Sequence, residues 1–394
     1  MNKMRMIMKL AVLLVLVCCL TAFQSADVSP EAAEEQVISL NPVTGMPAAN
    51  VDLFRLPPVF VPLARYPSAF RPSSGHSLAQ WVFEMYVSDE ESRPMLMFYG
   101  ELPDVPVSRI SSAIFGLESL RRQYGGIIIA GGTSKSVLES DIRNLELWYG
   151  VKGDELYPEL PVADYQRILN KWVKLATPAD PNNLAYTFDA AAPQGGLDAR
   201  SLYVRYASTN RILWDYDDAS GKYLRSQNSV ENPLTLQADV DSATENQIGA
   251  ENVIVLMARH DWVPGFKPEL GFFDVNLNYV ESEPALILRD GKMYEVTWTT
   301  KSGQFEQESA RMRPIRFLDA DGNNFRLKPG KTWVHIVMTG NPVYEVDSEL
   351  GSEITSGSGC WKLPYISFKP GSRELVEKEV EELRQLSYQL NGTN

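Results

Sequence analysis

Turns that carry Asp and Gly separate short runs of β-branched and aromatic residues in the second half of the chain, and this pattern restricts the fold most strongly. Such turns occur at Asp217–Gly221, Asp290-Gly291 and Asp319–Asn324, and Thr332–Met338 is a last apolar run. Turn residues of this kind between such runs are typical of antiparallel hairpins. The sequence therefore predicts an antiparallel β-meander domain over residues 197–345.

Strands alternate with helices in the first half of the chain. The predicted strands are Val59–Ala64, Trp81–Val87, Met95–Tyr99 and Ile127–Ala130, with the second and third joined as a hairpin. The predicted helices are Ile110–Tyr124, a segment from about Ser136 that opens on a capping box with Glu139, and Pro161–Ala176. This alternation predicts an N-terminal α/β domain with a mixed sheet over residues 41–196. The fold class expected for the whole chain is therefore a two-domain α+β protein.

The first 26 residues have the features of a secretory signal. Three basic residues precede the uninterrupted apolar run Leu10–Ala22, and polar residues follow it. A transmembrane helix needs about 20 apolar residues, so we expect a cleaved signal, and an uncleaved anchor helix is the alternative. Residues 27–40 are acidic and predict a tether between the signal and the folded part.

Two cysteines, Cys18 and Cys19, lie within this signal and are lipidation candidates. Val17 precedes Cys18 where a lipoprotein signal usually has a small residue, so secretion without lipidation is the alternative. Both interpretations place the protein outside the cytoplasm, and lipidation would anchor it to the outer face of the membrane. Cys360 is the one cysteine beyond the signal, which excludes an internal disulfide.

The charge and the residue counts exclude several functional classes. With 37 Lys+Arg against 50 Asp+Glu, the net charge of −13 argues against a nucleic-acid partner and against adsorption to an anionic membrane. We predict no metal and no cofactor, because the chain has three histidines and three cysteines and lacks the common zinc and nucleotide motifs. Asp319, Asp321 and Asn323 imitate the start of a calcium loop, but no glutamate follows at EF-hand spacing, so a turn is expected.

The segment Gly131-Gly132-Thr133-Ser134 follows a predicted strand and precedes a predicted helix. Glycines allow close backbone approach, and backbone N–H groups at a helix start attract anions, so this loop is a candidate anion site. The alternative is a tight turn in which the hydroxyls of Thr133 and Ser134 cap the helix.

Glu84 and Arg93 lie on paired strands, and Arg109 is expected at the opening of the next helix. Together with the Gly131–Ser134 loop, these residues would hold a phosphate or a sugar acid. The alternative is a surface ion pair beside a solvated arginine.

The chain also resembles the YerB-like family of bacterial lipoproteins. The resemblance runs from Asn41 to Met338 in order, and its longer motifs are Asn41-Pro42-Val43-Thr44-Gly45-Met46-Pro47, Arg71-Pro72-x-Ser74-Gly75, Gly221-x-Tyr223-Leu224-Arg225-Ser226-Gln227 and Leu327-x-Pro329-Gly330-x-Thr332-Trp333. It implies a two-domain exported protein, usually lipid-anchored, with no assigned function and no catalytic residues to carry over. Because Arg71 lies in a shared motif, it joins Arg93, Arg109 and the loop as an expected ligand-binding residue.

Three polar positions differ from the usual family pattern. Arg65-Tyr66 stands where relatives have Asn-His, Asp89-Glu90-Glu91 replaces a Gly-Gly turn, and Ser112 replaces an arginine. If these groups form a site in relatives, that site is altered here.

The sequence favours a non-catalytic envelope module that binds a glycan, an anionic polymer or a protein. One alternative is a hydrolase or transferase acting on phosphodiester or glycosidic bonds, with Glu84 as acid or base. A second is an assembly role for the tail, residues 346–394, in which 372–390 predicts an amphipathic helix; packing of this helix on its own domain is the simpler expectation.

Overall fold

Strands account for most of the regular secondary structure among the described residues, and they form a large mixed sheet, a smaller sheet packed against it and a two-stranded sheet. The structure is a computed structural model that describes residues 39–65, 68–88, 91–101, 103–139, 142–148, 159–174, 180–207, 209–232, 235–264, 271–346 and 359–365. The described residues from Leu40 onward belong to one compact unit. The signal, most of the tether and the predicted helix 372–390 lie outside the described residues.

The strands follow one another along the whole described chain. They are β1 Val59–Pro62, β2 Trp81–Ser88, β3 Glu91–Phe98, β4 Ser112–Ala113, β5 Ile127–Ala130, β6 Gly132–Thr133, β7 Leu145–Leu147, β8 Leu197–Asp198, β9 Ser201–Ala207, β10 Asn210–Asp217, β11 Lys222–Asn228, β12 Leu236–Ala238, β13 Gly249–Ala250, β14 Asn252–Pro264, β15 Gly271–Asn276, β16 Glu283–Arg289, β17 Lys292–Thr299, β18 Arg316–Leu318, β19 Thr332–Met338, β20 Tyr344–Glu345 and β21 Cys360–Pro364.

The helices are short and lie between strands. They are α1 Leu117–Tyr124, α2 Lys135–Glu139, α3 Val162–Val173, α4 Pro181–Leu184 and α5 Gln304–Ser309, with 3-10 turns at Val51–Arg55 and Ser68–Phe70. Within the described ranges, no helix combines the length and the apolar character that crossing a bilayer requires.

The large sheet has the order β18-β17-β16-β14-β19-β2-β3-β1-β5-β7, with β15 added to β14 and β8 to β17. The smaller sheet has the order β12-β11-β10-β9-β21-β20, with β13 added to β11. Alternate residues of a strand point to opposite faces of a sheet. Each central strand of the large sheet therefore contributes side chains to two hydrophobic cores, one on each face. Phe83 of β2 belongs to one core with Leu120 of α1. Its neighbour Val82 belongs to the other core, with Trp214 of the smaller sheet.

The predicted hairpins are confirmed. β2 pairs with β3, β10 with β11 and β16 with β17, all antiparallel. The Asp319–Asn324 turn is also confirmed, because Asp319 Oδ1 accepts hydrogen bonds from the backbone N–H groups of Asp321 and Asn323. The mixed sheet expected for the first half is present, since β1 and β5 are parallel while β1 and β3 are antiparallel.

The prediction that β19 closes an antiparallel meander is wrong. β19 lies between β14 and β2 and runs parallel to both. Nearly all of its residues are buried, as a central parallel strand covered on both faces requires. Through this pairing the large sheet continues across residue 196, where the sequence predicts a domain boundary, and the boundary itself stays a prediction.

The predicted helix over Ile110–Tyr124 is correct in its second half alone. α1 begins at Leu117, after Gly116 adopts a left-handed φ of 83°, and Gly125 ends it with φ 64°, as expected. The preceding residues are extended because Ile110 bridges to Leu63 and β4 pairs with β6. Arg109, with φ 64°, therefore does not open a helix.

The helix expected near Ser136 begins at Lys135, and its capping residue differs from the prediction. Ser134 Oγ accepts from the backbone N–H of Val137, and this bond replaces the predicted capping box of Ser136 and Glu139. The third helix, α3, is confirmed within the predicted range.

We expect the central strands to carry much of the stability. Leu256 of β14 is 0% exposed and Leu138 of α2 is 51% exposed. Leu256→Ala should lower the free energy of unfolding by about 2–5 kcal/mol, because it leaves a cavity in the core. The matched control Leu138→Ala should change it by no more than about 0.5 kcal/mol. Urea denaturation of both variants measures the difference, and equal effects would contradict the assigned burial.

Candidate functional site

One carboxylate, Asp239, lies between two buried arginines. Its Oδ1 accepts from Arg65 Nη2 and its Oδ2 from Arg225 Nη1. The amide oxygen of Gln227 accepts from the same two guanidiniums, at 3.0 Å from Arg65 and 2.9 Å from Arg225. The arginines are 3% and 0% exposed. Arg65 follows β1 of the large sheet, whereas Arg225 and Gln227 alternate on β11 of the smaller sheet, so this contact joins the two sheets.

Glu84 of β2 extends this arrangement on the other side of Arg225. Glu84 Oε2 accepts from Trp333 Nε1 at 3.0 Å and from Arg225 Nη2 at 3.4 Å. Its Oε1 accepts from Ser92 Oγ at 2.7 Å. We refer to Arg65, Arg225, Glu84 and Asp239 as the buried charge network.

His335 of β19 borders the network with a defined tautomer. The indole N–H of Trp214, which can only donate, lies 2.8 Å from His335 Nε2. The ring nitrogen Nε2 is therefore the acceptor, and the proton is on Nδ1, 3.0 Å from the Tyr206 hydroxyl and 3.7 Å from Glu84 Oε2. Burial lowers the pKa of His335 to about 4, Glu84 opposes this shift and Arg225 adds to it, so the ring is neutral at pH 7.

His76 borders the network on the Arg65 side. Arg65 Nη1 lies 3.3 Å from His76 Nε2, and because a guanidinium can only donate, this histidine also carries its proton on Nδ1. Its ring stacks on Trp333 with 5.9 Å between centroids and 10° between planes. Burial and the charge of Arg65 lower the pKa of His76 well below its ordinary value, so this ring too is neutral.

Both carboxylates of the network are ionised at neutral pH. Burial alone would raise the pKa of Asp239, but Arg65 and Arg225 outweigh it and lower the pKa to about 2. Burial would likewise raise the pKa of Glu84, whereas Arg225, His335 and the hydrogen bond from Ser92 lower it, and the net direction is downward.

Arg71 brings a third guanidinium to this region. Its Nη1 donates to the backbone oxygen of Asn228 at 2.6 Å. Burial and the nearby charge of Arg65 lower the pKa of Arg71 to about 10, which leaves it charged at pH 7. With Arg71 included, three arginines face two carboxylates, and one positive charge stays uncompensated among these residues.

The same region has an excess of hydrogen-bond donors. In this part of the described structure, Nε of Arg65, Arg71 and Arg225 and Nδ1 of His76 are buried N–H groups without an acceptor. Buried donors are normally paired, so such a cluster marks a place where a missing acceptor is to be expected. A cavity of 220 Å³ lies here, lined by Arg71 and Pro72, by Gln227, Val230 and Gln237, and by Ala238–Val240. We call it the Arg71 pocket.

The structure separates the predicted partners Glu84 and Arg93. Glu84 pairs with Pro94, whereas Arg93 pairs with Met85, so the two side chains lie on opposite faces of the sheet. Arg93 donates to Glu91 Oε1 at 3.0 Å through Nε and to the backbone oxygen and hydroxyl of Ser112, each at 3.1 Å. The expected cluster of Glu84 with both arginines is therefore wrong, because the register places neighbouring residues on different faces.

The glycine loop lies near Arg93, but Gly132 and Thr133 form the short strand β6. Gly132 pairs with Ser112, and a Cβ added at Gly132 would approach nothing closer than 3.9 Å, so no close backbone approach requires this glycine. Thr133 Oγ1 donates to the backbone oxygen of Ser134 at 3.4 Å, and Ser134 caps α2. Arg109 is exposed. A ligand-binding role for Arg93, Arg109 and the Gly131–Ser134 loop stays a prediction.

Sequence reasoning missed Arg65, Arg225 and Asp239 as one group. A signal exists for Arg225, because Tyr223, Arg225 and Gln227 alternate on a strand and therefore share one buried face. Within the described ranges, no group of three His, Cys, Asp or Glu side chains is close enough to hold a metal ion.

Comparison with known proteins gives a family match for part of the chain and a solved structure with a similar fold. Residues 202–334, which include Arg225, Asp239 and Trp333, match the family described as "Protein of unknown function (DUF3048) C-terminal domain". The fold is similar to that of the crystal structure of YerB protein from Bacillus subtilis, with a TM-score of 0.59 and 22% identity over 76% of this chain and 96% of that chain. The predicted YerB-like resemblance is confirmed. No curated protein matches the chain. The YerB-like likeness describes the fold, and the site must be interpreted from its own residues.

Removing the carboxylate of Asp239, which Arg65 and Arg225 share, should lower the free energy of unfolding strongly. Asp239→Asn leaves two buried guanidiniums without their common charge partner and should lower the free energy of unfolding by about 3–5 kcal/mol. The matched control is Asp218→Asn, since Asp218 pairs with Arg200 at the surface with its side chain 74% exposed, and its loss should cost less than about 1 kcal/mol. Urea denaturation compares the two variants, and a cost at Asp239 no larger than at Asp218 would contradict the network.

The lowered pKa of His335 predicts that the stability of the fold depends on pH. An unfolded histidine titrates near 6.5, and the folded pKa is about 4, so between these values the unfolded chain binds a proton that the folded chain does not. The corresponding stability is present above pH 6.5 and is lost as the pH falls toward 4. The part of this loss of unfolding free energy that is due to His335 is on the order of 3 kcal/mol, and His335→Gln should remove it. Denaturation curves across this pH range measure it, and an unchanged profile would contradict the assignment.

Proposed function

We propose that this protein is an exported, non-catalytic binding module of the cell envelope, whose ligand is an anionic glycan or polymer held at the Arg71 pocket. The observation that carries the proposal is the uncompensated arginine charge beside unpaired N–H donors. An anionic oxygen in the pocket would neutralise that charge and accept from Nε of Arg71, which is the one of these donors that belongs to a lining residue. Hydrogen bonds from arginine to carboxylate or phosphate are among the strongest in proteins, so a small anionic group suffices for recognition.

The charge of the whole chain makes this pocket selective. A chain with a net charge of −13 repels polyanions in general, so binding requires a local concentration of positive charge. Arg71 lies beside Arg65 and Arg225, and each oxygen of Asp239 already accepts from one of these two arginines. The carboxylate that lines the pocket favours the charged form of Arg71, but it is shared with Arg65 and Arg225 and cannot balance all three charges.

The hydrolase or transferase alternative has less support. Glu84 is 1% exposed, both of its oxygens accept hydrogen bonds, and its lowered pKa leaves it without a proton to donate. A general acid must reach the bond that it cleaves. Glu84 has the surroundings of a residue that holds Arg225 in place.

Export and domain organisation belong to the proposal as well. The basic and apolar N-terminal segment supports export, with Cys18 or Cys19 as the lipid attachment point if the protein is anchored. The division into an α/β domain over 41–196 and a β domain over 197–345 rests on the change in sequence pattern. An assembly role for the predicted helix 372–390 remains the third hypothesis, and deleting that helix should then abolish partner capture without melting the folded part.

The proposal predicts saturable binding of inorganic phosphate that depends on Arg71. Phosphate at 100 times its dissociation constant should raise the free energy of unfolding by about 2.7 kcal/mol relative to chloride at equal ionic strength. Arg71→Gln should abolish this increase, because it removes the uncompensated charge. Thermal unfolding and calorimetry measure the effect.

Arg259→Gln is the matched control, because the side chain of Arg259 is 75% exposed and this arginine lies outside the pocket. It should keep the full response to phosphate. Equal responses of the wild type and Arg71→Gln would contradict the proposal, as would a response lost equally in both variants.

A further inference from the structure

A second cavity lies at the carboxyl end of α1, away from the residues that line the Arg71 pocket. It has a volume of 270 Å³ and is bounded by the end of α1, by residue 144, by residues 180–184 and by α5 with the segment after it. None of its lining residues belongs to the buried charge network. We call it the α1 pocket.

Gln123 lines the α1 pocket and has a buried acceptor that lacks a partner. Its side-chain Nε2 donates to the backbone oxygen of Leu277 at 2.6 Å, which fixes the orientation of the amide. Gln123 is 3% exposed, and its Oε1 accepts no hydrogen bond from any described residue. A buried amide oxygen without a donor destabilises the fold, so a ligand that brings a hydroxyl group would relieve this cost.

Arginines concentrate at the same cavity. Arg121, Arg122 and Arg311 line it, and Asp180 is the one carboxylate among its described lining residues. Arg121 is paired with Glu118 through bonds of 2.7 and 2.6 Å. Arg122 is exposed, and Asp180 Oδ1 accepts from the backbone N–H of Asn182 as the cap of α4. The cavity therefore offers positive charge to a ligand.

An apolar wall completes the cavity. Phe305 of α5 is among its lining residues, and small-molecule sites typically combine such apolar surface with a few placed polar groups. Sugar acids combine the three features that this cavity would recognise. They have hydroxyl groups that can donate to Gln123, a carboxylate for Arg122 and an apolar ring face for Phe305.

We propose that the α1 pocket binds an acidic monosaccharide unit. The inference goes beyond the anion site at Arg71, because it rests on different residues and requires hydroxyl groups in addition to charge. Arg122 binds the carboxylate, and Gln123 Oε1 accepts from a ring hydroxyl.

The test is calorimetric titration of the full chain with sodium glucuronate, with glucose at equal concentration as the uncharged comparison. The wild type should bind glucuronate saturably and glucose more weakly. Arg122→Gln should weaken glucuronate binding about tenfold, since a charge-assisted bond is lost, and Gln123→Met should weaken it as well. Because Arg122 is exposed, its variant should fold normally and decides the test if Gln123→Met does not fold.

Arg167→Gln is the matched control, since Arg167 is an arginine of α3 with its side chain 60% exposed. It should bind glucuronate as the wild type does. The proposal is overturned by a lack of saturable binding up to the solubility limit, by equal affinity for glucose, or by an undiminished affinity in Arg122→Gln. Loss of glucuronate binding in Arg71→Gln with retention in Arg122→Gln would also overturn it and would assign the sugar acid to the Arg71 pocket. Arg122→Gln should still bind phosphate at the Arg71 pocket. Failure of the α1 pocket proposal can therefore be told apart from failure of the Arg71 pocket proposal.

Discussion

The position of the two sheets depends on the ion pairs that Arg65 and Arg225 form with the shared carboxylate of Asp239. Each buried charge costs several kcal/mol unless it is paired and hydrogen-bonded, so Arg65 and Arg225 require the same anion at the same place. Arg65 comes from the large sheet and Arg225 from the smaller one. Asp241, two residues further on, accepts from the backbone N–H groups of Gly75 and Ser77 and is 0% exposed. One short segment after β12 therefore fixes the loop that leads into β2.

The same electrostatics connect the fold to the proposed function. Glu84 and Asp239 form ion pairs with Arg225 and Arg65, so a nearby third arginine, Arg71, shares Asp239 with both of them and has no carboxylate of its own in this network. A network built only for stability would be balanced in charge, since an excess charge in a buried site is costly. The excess at Arg71 is thus the feature that most clearly points to a ligand.

Local patterns in the sequence predict the hairpins but not the site. The Asp217–Gly221 and Asp290-Gly291 turns were predictable because turn chemistry acts within a few residues. Glu84 stands out as a carboxylate within an apolar strand, yet Trp333, which binds it, lies 249 residues away in sequence. The parallel pairing of β19 with β2 brings them together, and no local pattern encodes such a pairing. Strand register likewise decides that Arg93 faces away from Glu84.

The central claim is that the buried region consists of ionised carboxylates, charged arginines and neutral histidines. Nitrogen NMR of the labelled imidazole rings measures it most directly, because the shifts of Nδ1 and Nε2 report both tautomer and charge. The account predicts that His76 and His335 are neutral at pH 7 with the proton on Nδ1, and that neither ring titrates near the ordinary value of 6.5. A doubly protonated ring at pH 7 would contradict the charge balance on which the Arg71 site rests. A neutral ring with its proton on Nε2 would contradict the hydrogen bonds assigned to that histidine.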